Sequence, residues 1–484
     1  MLASILLNDE WNVDSDVEIC GIAYDSRQIM PGYAFVCIKG FETDGHTYVD
    51  KAIENGAALI VAQDRIESSV PVCYVADTRN TLADMSCRFY GNPSENFKLV
   101  GVTGTNGKTT VTHLIKSILE QAGKEVGIIG TNQNIIGDKV LLTKSTTPTT
   151  PNSLELQKIF SEMAEGGAEY VVMEVSSHAL ELSRVRGCSF DVGVFTNLTR
   201  DHLDFHKTMR NYMLAKAKLF DHSISGAINI DDEYGKQIYD AHNGEHILTY
   251  GIDSDCHIKA TDIKITPRGV NFTITYNNEQ YPMFLCIPGT FSVYNAMSAV
   301  CACIKLGIDM DTISKGLSAA VGVLGRVEVV PTDTDYMVII DYAHTPDGLE
   351  NIIRAMKSFA KGRVITLFGC GGDRDNTKRA VMGRVAGELS DLSIITSDNP
   401  RTEDPIKIID MIEEGMKETD GEYIVIPDRR EAIGYALDNA EADDVIILAG
   451  KGQETYQIVG KEKFDFDERV VVFSHLNSDK ESDK

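Results

Sequence analysis

A phosphate-binding loop is indicated by the segment GVTGTNGKTT at residues 101–110, which follows a strand-like run and precedes a helical pattern. Its glycines let a phosphate approach the backbone, and the N-terminus of the following helix attracts an anion. Lys108 is placed to reach the terminal phosphates and Thr109 to bind Mg²⁺. Val102 stands where the strict consensus has its first glycine, so a glycine-rich turn with a surface lysine is the alternative. The order of strand, glycines, lysine and threonine favours a nucleoside triphosphate site.

Two further side chains with metal-binding chemistry follow strand-like runs. Glu174 ends an apolar run that we expect to lie parallel to the strand before the phosphate loop, and His202 follows the next such run. Open α/β sheets bind ligands at the carboxyl ends of their parallel strands. We therefore expect Glu174 and Thr109 to share a Mg²⁺ ion. His202 is either a second metal ligand or a loop cap, since imidazole is an unusual ligand for Mg²⁺.

Two lysines lie on one helical pattern. Lys216 and Lys218 fall within residues 212–220, two positions apart and therefore on different faces of the helix. We expect one of the two to be solvated. From the sequence alone Lys216 is predicted to be a surface residue, as lysines usually are.

Short β-branched runs alternate with amphipathic segments of helical length along the whole chain, which is typical of α/β folds with parallel sheets covered by helices. The length of 484 residues corresponds to about three domains at roughly 150 residues each. We place these domains at 1–95, 96–326 and 327–484. A hairpin is expected at Asn277-Asn278, and the polar tail 477–484 is expected to be frayed. Strands are predicted at 33–38, 59–62, 72–75, 98–102, 126–130, 170–175, 192–196, 338–342, 364–368, 392–396 and 445–449.

The composition excludes several classes of protein. Lys and Arg number 46 against 72 Asp and Glu, and the resulting net charge of −26 repels a phosphate backbone, so no nucleic-acid partner is expected. No apolar run approaches the roughly 18 residues needed to span a bilayer, and no basic cluster opens the chain. We expect a cytoplasmic monomer without a membrane partner. The 10 cysteines form no CxxC pair and are expected to be buried, reduced thiols.

The chain resembles the Mur ligase family in the order and spacing of its motifs, which extend over all three predicted domains. These motifs are DSR at 25–27, GTNGKTT at 104–110, MEVSSH at 173–178, NLTRDHLD at 197–204, AKA at 215–217, YNA at 294–296, GR at 325–326, DYAH at 341–344 and GGDR at 371–374. Within the family, TTP at 146–148 and EVSSHAL at 174–180 are most similar to members that extend UDP-N-acetylmuramoyl-L-alanyl-D-glutamate.

The resemblance implies a domain that binds the UDP-muramoyl substrate, a central P-loop-type parallel sheet domain that binds ATP, and a C-terminal Rossmann-like domain that binds the incoming amino acid. It implies an ATP-dependent, ADP-forming amide ligase of peptidoglycan precursor synthesis, with ATP and Mg²⁺ as cofactors. Joining a carboxylate to an amine in water is uphill, so the carboxylate must first be activated, most simply as an acyl phosphate. Such a site must offset concentrated negative charge.

The resemblance also implies roles for individual residues, of which Lys108, Glu174, His202 and Lys216 form the catalytic set. Lys216 is expected to be carbamylated, which turns its cation into an anion able to bind a second Mg²⁺. Asn295 is alternatively a helix cap, and Leu182 replaces a polar contact of some family members. The implied nucleotide contacts are Gly104, Thr105, Asn106, Gly107, Lys108, Thr109, Thr110, Asn295, Arg326 and Asp341. The implied metal ligands are Thr109, Glu174, His202 and Lys216. The implied UDP-muramoyl-dipeptide contacts are Ser26, Thr146, Thr147, Ser176 and Arg184, with a uracil pocket near Tyr24 and residues 41–43.

The choice of amino acid is predicted from SDNPR at 397–401, which follows the strand at 392–396 and so lies at the carboxyl edge of its sheet. Family members that add meso-2,6-diaminopimelate carry DNPR, and those that add L-lysine lack the arginine. The guanidinium of Arg401 offers a planar fork for the extra carboxylate of diaminopimelate. Arg401 is alternatively a loop arginine before a helix N-cap. Further contacts to diaminopimelate are implied for Arg374, Asp398, Asn399, Pro400, Gly450 and Glu454, with the last two at the far amino end.

Alternative functions differ in substrate. An L-lysine-adding ligase of the same family would choose the other amino acid. A folylpolyglutamate synthetase shares the nucleotide loop but lacks the first domain. A GTPase or motor ATPase acting on a protein partner would need a guanine-specificity motif or a strand ending in Asp, and the relevant strand ends in Glu174.

Overall fold

The computed structural model describes residues 1–14, 16–40, 43–131, 133–137, 139–141, 143, 147, 149–242, 244–266 and 268–482. These residues form two compact units. The first unit comprises Met1–Thr103, Gly123–Val194 and Leu214–Gly226, and the second comprises Gly104–Ala122, Phe195–Met213 and Ala227–Lys484.

The strands follow one another along the chain as short apolar runs. In chain order they are β1 Gly21–Ala23, β2 Tyr33–Val36, β3 Ala57–Ala62, β4 Val72–Tyr74, β5 Lys98–Thr103, β6 Val126–Ile129, β7 Asn134–Ile136, β8 Lys139–Val140, β9 Tyr170–Glu174, β10 Phe190–Phe195, β11 Ser223–Asn229, β12 Ile247–Gly251, β13 Ile258–Thr266, β14 Gly269–Tyr276, β15 Glu279–Leu285, β16 Glu328–Val330, β17 Met337–Asp341, β18 Val364–Phe368, β19 Leu392–Ile395, β20 Tyr423–Val425, β21 Val445–Ala449, β22 Tyr456–Val459 and β23 Glu462–Asp465.

The helices alternate with these strands, and several begin at a side-chain cap, such as Asp77, Asp309 and Asp428. In chain order they are α1 Ala3–Leu7, α2 Val49–Glu54, α3 Thr78–Phe89, α4 Lys108–Gln121, α5 Ser153–Glu165, α6 Ser177–Glu181, α7 Leu203–His206, α8 Met209–Asp221, α9 Glu233–His242, α10 Thr290–Lys305, α11 Met310–Ala319, α12 Pro346–Lys357, α13 Lys378–Leu389, α14 Pro405–Met416, α15 Arg429–Asp438 and α16 Glu468–Ser482.

The first unit contains a small parallel sheet with strand order β1-β2-β3-β4. Leu6 of α1 and Leu82 of α3 pack against Val36 and Val61 on one face. Ala52 of α2 packs with Phe35 on the other face. Burial of both faces explains why these strands are continuous apolar runs rather than alternating ones.

The first unit also contains the strands β11-β10-β5-β9-β6-β7-β8 in that order. The strands β5, β9 and β6 are parallel, while β7 and β8 are antiparallel additions at the edge. Val102 of β5 is in register with Glu174 of β9. The carboxyl end of β9 therefore lies directly beside that of the strand that leads into the phosphate loop.

In the second unit, β12 to β15 follow in sequential order, with β13, β14 and β15 forming an antiparallel meander. The predicted hairpin at Asn277-Asn278 is confirmed between β14 and β15. Both asparagines have positive φ, 51° and 64°, as a two-residue hairpin turn of type I′ requires. Helix α4 packs against α10 and α11.

The second unit ends in a sheet of order β16-β17-β21-β18-β19-β20, parallel except for β16. Helices α12, α13 and α14 cover one face and α15 and α16 the other. Helices α13 and α14 cross closely at Gly415, where a Cβ would lie only 1.7 Å from the carbonyl oxygen of Ala380. Glycine at this position permits the close crossing. Strands β22 and β23 form a separate hairpin.

The predicted α/β class with parallel sheets is confirmed. The tail predicted to be frayed from Asn477 is instead helical as far as Ser482, in a helix whose N-terminal part packs into the core through Val471 and Val472; the last two residues lie outside the described ranges. Most cysteines are buried and none forms a disulfide, but Cys20 is exposed, contrary to prediction. Across the described ranges, no helix combines the length and the apolar character that crossing a bilayer requires.

Candidate active site

The phosphate loop in the second unit is held by the segment after β10. The backbone N–H of Thr105 donates to the carbonyl of Asn197 at 2.9 Å, and that of Asn106 donates to Asn197 Oδ1 at 2.9 Å. The carbonyl of Asn106 accepts from Thr196 Oγ1 at 2.7 Å. A Cβ on Gly104 would lie 1.8 Å from Thr196 Oγ1. The loop therefore has one backbone conformation, fixed by side chains far away in the sequence.

Gly107 is the N-cap of α4 and has φ +87°, a conformation that favours glycine. A Cβ at this position would lie 2.4 Å from Asn295 Oδ1 of α10. The buried Asn295 thus faces the phosphate loop from within α10, so the alternative of a helix cap is wrong because Gly289 is the N-cap of that helix. Its contact with the nucleotide stays a prediction. The first turn of a helix presents backbone N–H groups and the positive end of the helix dipole, which favour an anion.

Two cationic side chains lie at the phosphate loop: Lys108 from the loop itself and Arg326 from the segment before β16. Lys108 Nζ donates to the carbonyls of Gly104 and Thr105 at 2.9 and 2.8 Å. Arg326 Nη2 lies 3.4 Å from Thr109 Oγ1, while Arg326 Nε is buried without a hydrogen-bond partner among the described residues. An orphaned guanidinium N–H beside a helix N-terminus fits a phosphate ligand.

The carboxylate of Asp341 is fixed by the backbone on both sides. Asp341 Oδ2 accepts from the N–H of Val327 and Oδ1 from that of Ala343, each at 2.7 Å. Burial raises the pKa of Asp341, although Arg326 opposes this. The Arg326 guanidinium lies 4.5 Å from the ring centroid of Tyr342. Asp341 therefore orders the segment that carries Arg326, and its predicted direct contact with the nucleotide stays a prediction.

His202 is the N-cap of α7 with φ +54°, and its side chain is 45% exposed, so the ring is accessible to a ligand. The buried Asp201 accepts from the His202 N–H at 2.9 Å. Burial raises the pKa of Asp201, but His202, His344 and Lys378 outweigh burial and lower it overall. Burial, followed by Lys378, lowers the pKa of His344 to about 4. At pH 7 the cluster therefore holds a neutral imidazole, that of His344, and an ionised carboxylate, that of Asp201.

The loops after β18 and β19 bring together Arg374 and Arg401, the two arginines predicted to contact diaminopimelate. Arg401 Nη1 donates to the carbonyl of Gly372 at 2.7 Å, and a Cβ on Gly371 would contact both Arg401 and Arg374. The buried Arg379 binds Glu403 through both Nη atoms at 2.9 and 2.8 Å. Arg379 lowers the pKa of Glu403. This ion pair supports the loop beneath the two arginines.

The remaining predicted contacts to the amino acid lie beside Arg401. Asn399 Nδ2 donates to Glu454 Oε2 at 2.8 Å. Asp398, Asn399 and Pro400 are buried, as is Gly450. Gly450 has φ +113°, which explains the glycine at the point where the chain leaves β21. The structure thus brings all the residues of this predicted set together in the second unit, with Arg374 at the exposed rim.

In the first unit, Glu174 ends β9 as predicted. Glu174 is 1% exposed, and its carboxylate accepts from the N–H of Thr131 at 2.8 Å and from Thr131 Oγ1 at 3.1 Å. A Cβ on Gly130 would lie 2.4 Å from Glu174 Oε1. Glu174 is therefore held in one orientation at the carboxyl edge of the sheet.

Three of the predicted dipeptide contacts converge on Thr150. The carbonyl of Thr150 accepts from Thr147 Oγ1 at 2.8 Å and from Arg184 Nη1 at 3.0 Å, and Thr150 Oγ1 accepts from the N–H of Ser176 at 3.0 Å. Burial, followed by Arg79, lowers the pKa of Arg184, and Arg184 Nε is buried without a hydrogen-bond partner in the described part of the chain. This cluster carries a positive charge suited to an anionic substrate.

Other predictions have different outcomes. Ser26 is buried, and its carbonyl accepts from Asn55 Nδ2 at 2.8 Å. Lys216 is 1% exposed, so the prediction of a surface residue from the sequence alone is wrong. Lys218 is the exposed lysine of the pair and binds Glu181 at 2.6 Å. Thr146 lies outside the described residues, as do Phe41 and Glu42 of the expected uracil pocket.

Sequence reasoning missed several residues that order these sites. Asn197 belongs to a recognised motif and Thr150 lies two residues after one, but their functions depend on partners across the fold. Asp347, in the first turn of α12, accepts from Asn106 Nδ2 at 2.6 Å. Lys378 Nζ donates to the carbonyl of His344 at 2.8 Å. The only available sequence signal was their proximity to the motifs.

Known families match most of the chain. A family model described as the Mur ligase middle domain matches residues 102–303, one described as the Mur ligase glutamate ligase domain matches 325–452, and one described as the Mur ligase family catalytic domain matches 18–90.

Named proteins resemble the chain over nearly its full length. It is 51% identical over 460 residues to the UDP-N-acetylmuramoyl-L-alanyl-D-glutamate--2,6-diaminopimelate ligase of Caldanaerobacter subterraneus subsp. tengcongensis, with 94% of each protein covered. It is 48% identical over 465 residues to ligase 1 of the same name from Clostridium acetobutylicum, with 95% of each covered. A solved structure of a protein with this enzyme name has a TM-score of 0.70 and 30% identity, with 98% of this chain and 99% of that chain covered.

The two ends of α4 provide a test of the phosphate loop. We expect Gly107→Ala to weaken ATP binding at least about 10-fold, because the Cβ forces the left-handed N-cap and Asn295 apart. The control is Gly123→Ala, which also has a positive φ, +75°, but nothing within 4 Å of its Cβ. It should leave ATP binding unchanged and lower stability by about 1 kcal/mol. Titration with a fluorescent ATP analogue measures the affinity of each variant for ATP, and thermal unfolding measures its stability. Equal affinities for the two variants would contradict the assignment.

Proposed function

The chain belongs to the Mur ligase family, and from this premise we propose that it joins meso-2,6-diaminopimelate to UDP-N-acetylmuramoyl-L-alanyl-D-glutamate with consumption of ATP. The observation that carries this proposal is the near-full-length identity of about half to relatives named for that reaction. The cluster of Arg401, Asn399 and Glu454 supports the choice of amino acid.

The proposed reaction has two steps. The γ-carboxylate of the D-glutamate attacks the γ-phosphorus of ATP, the bond to the β–γ bridging oxygen breaks, and ADP leaves. The deprotonated amine of diaminopimelate then attacks the acyl phosphate carbon, and inorganic phosphate leaves as the amide forms. Both steps gather negative charge on phosphoryl oxygens, so catalysis depends on placed cations and N–H donors.

ATP fits the phosphate loop of the second unit. Gly107 leaves space beside Asn295 that any Cβ would fill, and the N-terminus of α4 supplies N–H donors. The orphaned Nε of Arg326 offers a further donor near Thr109. We propose that Lys108 exchanges its present carbonyl partners for the terminal phosphates.

We propose Thr109, Glu174, His202 and carbamylated Lys216 as ligands of Mg²⁺. The donor chemistry fits: Glu174 is an ordered carboxylate, His202 has an accessible ring, and Lys216 has the burial expected of a lysine with a special function. When bound, Mg²⁺ neutralises phosphate charge. The residues themselves orient the ions, and Asp201 orders the His202 backbone.

The dipeptide substrate is proposed to bind to Ser26, Thr147, Ser176 and Arg184 in the first unit, together with Thr146. The half-buried guanidinium of Arg184, with its Nε buried, suits an anionic group, because a charge-assisted hydrogen bond is stronger where water is partly excluded. Thr150 acts indirectly, since it fixes Ser176 and Arg184.

The central test measures ligation by the wild-type protein with ATP, the dipeptide substrate and either amino acid. We expect product with meso-diaminopimelate and less than about one thousandth of that rate with L-lysine, because lysine leaves the Arg401 fork unpaired. With ¹⁸O in the D-glutamate γ-carboxylate, one label should appear in the released phosphate. Efficient use of L-lysine contradicts the specificity, and unlabelled phosphate contradicts the acyl phosphate.

The two lysines of α8 form a matched pair for testing the carbamate. We expect Lys216→Ala to reduce kcat by about 10²-fold or more and to recover partly in millimolar acetate or propionate, which supply a carboxylate in place of the carbamate. Lys218→Ala removes only an exposed ion pair with Glu181 and should stay within about twofold of wild type. Equal losses at both positions would contradict the function of Lys216.

Arg401 is tested against another arginine of the same sheet domain. We expect Arg401→Ala to lower kcat/KM for meso-diaminopimelate by about 10³-fold, since two charge-assisted hydrogen bonds are lost. Arg401→Lys keeps the charge but not the fork and should recover only part of the loss. The control Arg384→Ala breaks a surface ion pair with Glu418 and should leave kcat/KM unchanged. Retention of activity in Arg401→Ala would refute the assignment.

A further inference from the structure

Lys451 lies in the sequence between Gly450 and Glu454, two residues of the predicted amino-acid site, but is not itself one of the predicted contacts. Its side chain is fully buried, with 0% exposure. Its Nζ lies 3.2 Å from Asn399 Oδ1, 3.4 Å from Asp398 Oδ1 and 3.5 Å from Glu454 Oε2. One ammonium group therefore contacts three residues of the predicted diaminopimelate site.

This contact determines how Asn399 is oriented. Asn399 Oδ1 accepts from Lys451 Nζ and from the N–H of Ile458 on β22 at 2.9 Å. Both contacts require the amide oxygen on that side, so the amide NH₂ must face the other way. Asn399 Nδ2 accordingly donates to Glu454 Oε2. Lys451 thus acts on Glu454 both directly and through Asn399.

The charges around Lys451 explain why a cation is needed there. Asp398 and Glu454 place two carboxylates around one buried ammonium group. Without it, these carboxylates would repel each other in a site of low polarity. The rings of Tyr456 and Phe466 lie 6.0 and 5.8 Å from Nζ, which limits the water that could screen them.

A second buried ion pair holds the backbone next to Lys451. Arg429 and Glu468 are both fully buried and are joined at 2.7 Å. Arg429 Nη2 also donates to the carbonyl of Ala449 at 2.8 Å, two residues before Lys451. The backbone that carries Lys451 is therefore tied to α15 and α16.

The other oxygen of Glu454 has capacity for a ligand. Glu454 Oε2 is engaged by Asn399 and Lys451, whereas the contact recorded for Oε1 is the Tyr456 hydroxyl at a long 3.5 Å. The Glu454 side chain is 16% exposed, so one edge is accessible. A carboxylate oxygen held in place with unused acceptor capacity suits an ammonium group.

We propose that Lys451 is a positioning residue that holds Glu454 and Asn399 to receive the amino group at the far end of the incoming diamino acid. This inference rests on the proposed function. Lys451 itself does not touch the amino acid. It determines the preference for a substrate with a second amino group, which is distinct from the recognition of the far carboxylate by Arg401.

The test compares meso-diaminopimelate with L-2-aminopimelate, which has both carboxylates and the reacting amine but lacks the far amino group. We expect the wild type to prefer diaminopimelate. In Lys451→Met, kcat/KM for diaminopimelate should fall by about 30-fold through KM, while kcat/KM for L-2-aminopimelate and the KM values for ATP and the dipeptide substrate should change less than about threefold.

The control is Lys463→Met, on the hairpin β22–β23. Lys463 is exposed, and its Nζ lies 3.5 Å from the ring centroid of Tyr456, so the same charge is removed nearby without disturbing Glu454. Both amino acids should react as with wild type. A selective loss with diaminopimelate at this position, as large as that of Lys451→Met, would show that the hairpin, not Lys451, sets the preference, and would overturn the inference.

The outcomes separate this inference from the proposed function. If the wild type does not use diaminopimelate, the proposed function fails. If it does, but Lys451→Met loses activity equally with both amino acids or keeps its preference, only the inference fails and Lys451 is purely structural. Should Lys451→Met not fold, Glu454→Asp withdraws the carboxylate by one methylene, and a preserved preference for diaminopimelate in that variant overturns the inference.

Discussion

The protein must hold substrates with several negative charges although its own net charge is −26. Long-range attraction cannot provide this, because the surface as a whole repels anions. The fold instead shelters a few cations from water: Arg184 of the first unit is partly buried, and Lys378, Arg379 and Lys451 of the second are buried. Each makes at least one hydrogen bond or ion pair to a neighbouring segment, as Arg184 does with the carbonyl of Thr150 and Arg379 with Glu403, while the Nε atoms of these two arginines have no hydrogen-bond partner among the described residues. Burial makes such charges effective and requires these partners.

The same partners give the sites their shape. The phosphate loop takes its conformation from Asn197, and the loop before α14 takes its from the hairpin β22–β23. Arg401 has φ +52°, and its N–H and carbonyl pair with Ile458 and Gly460. A backbone angle that is unfavourable for arginine is thus maintained by hydrogen bonds on both sides. Binding groups are ordered before any substrate arrives, which lowers the entropic cost of binding.

How far the sequence predicts this structure depends on whether the signal is local. The strand at Val364–Phe368 and the loop at Gly104–Thr110 follow from residue types and order alone. The burial of Lys216 does not, because the helical pattern shows that Lys216 and Lys218 differ in face but not which face meets the core. The helix that continues to Ser482 was missed because its polar end extends from a packed start at Val471 and Val472. Thr150, Asp347 and Lys451 were missed because their functions depend on contacts between segments distant in sequence.

The pairing of β22 with the DNPR loop has a consequence for redesign. Strand β22 binds Asn399 through its side chain and Arg401 through its backbone, and Gln457 donates to the carbonyl of Asp398 at 2.7 Å. A substitution that changes the conformation of residues 398–401 is therefore expected to require a compensating substitution in the hairpin β22–β23. Grafting residues 398–401 alone onto a homologous scaffold would import the recognising groups without the frame that shapes them. A graft that keeps the site intact must include two segments, 398–401 and 450–460. Family members that use a different substrate amino acid are expected to differ from this chain in both segments together.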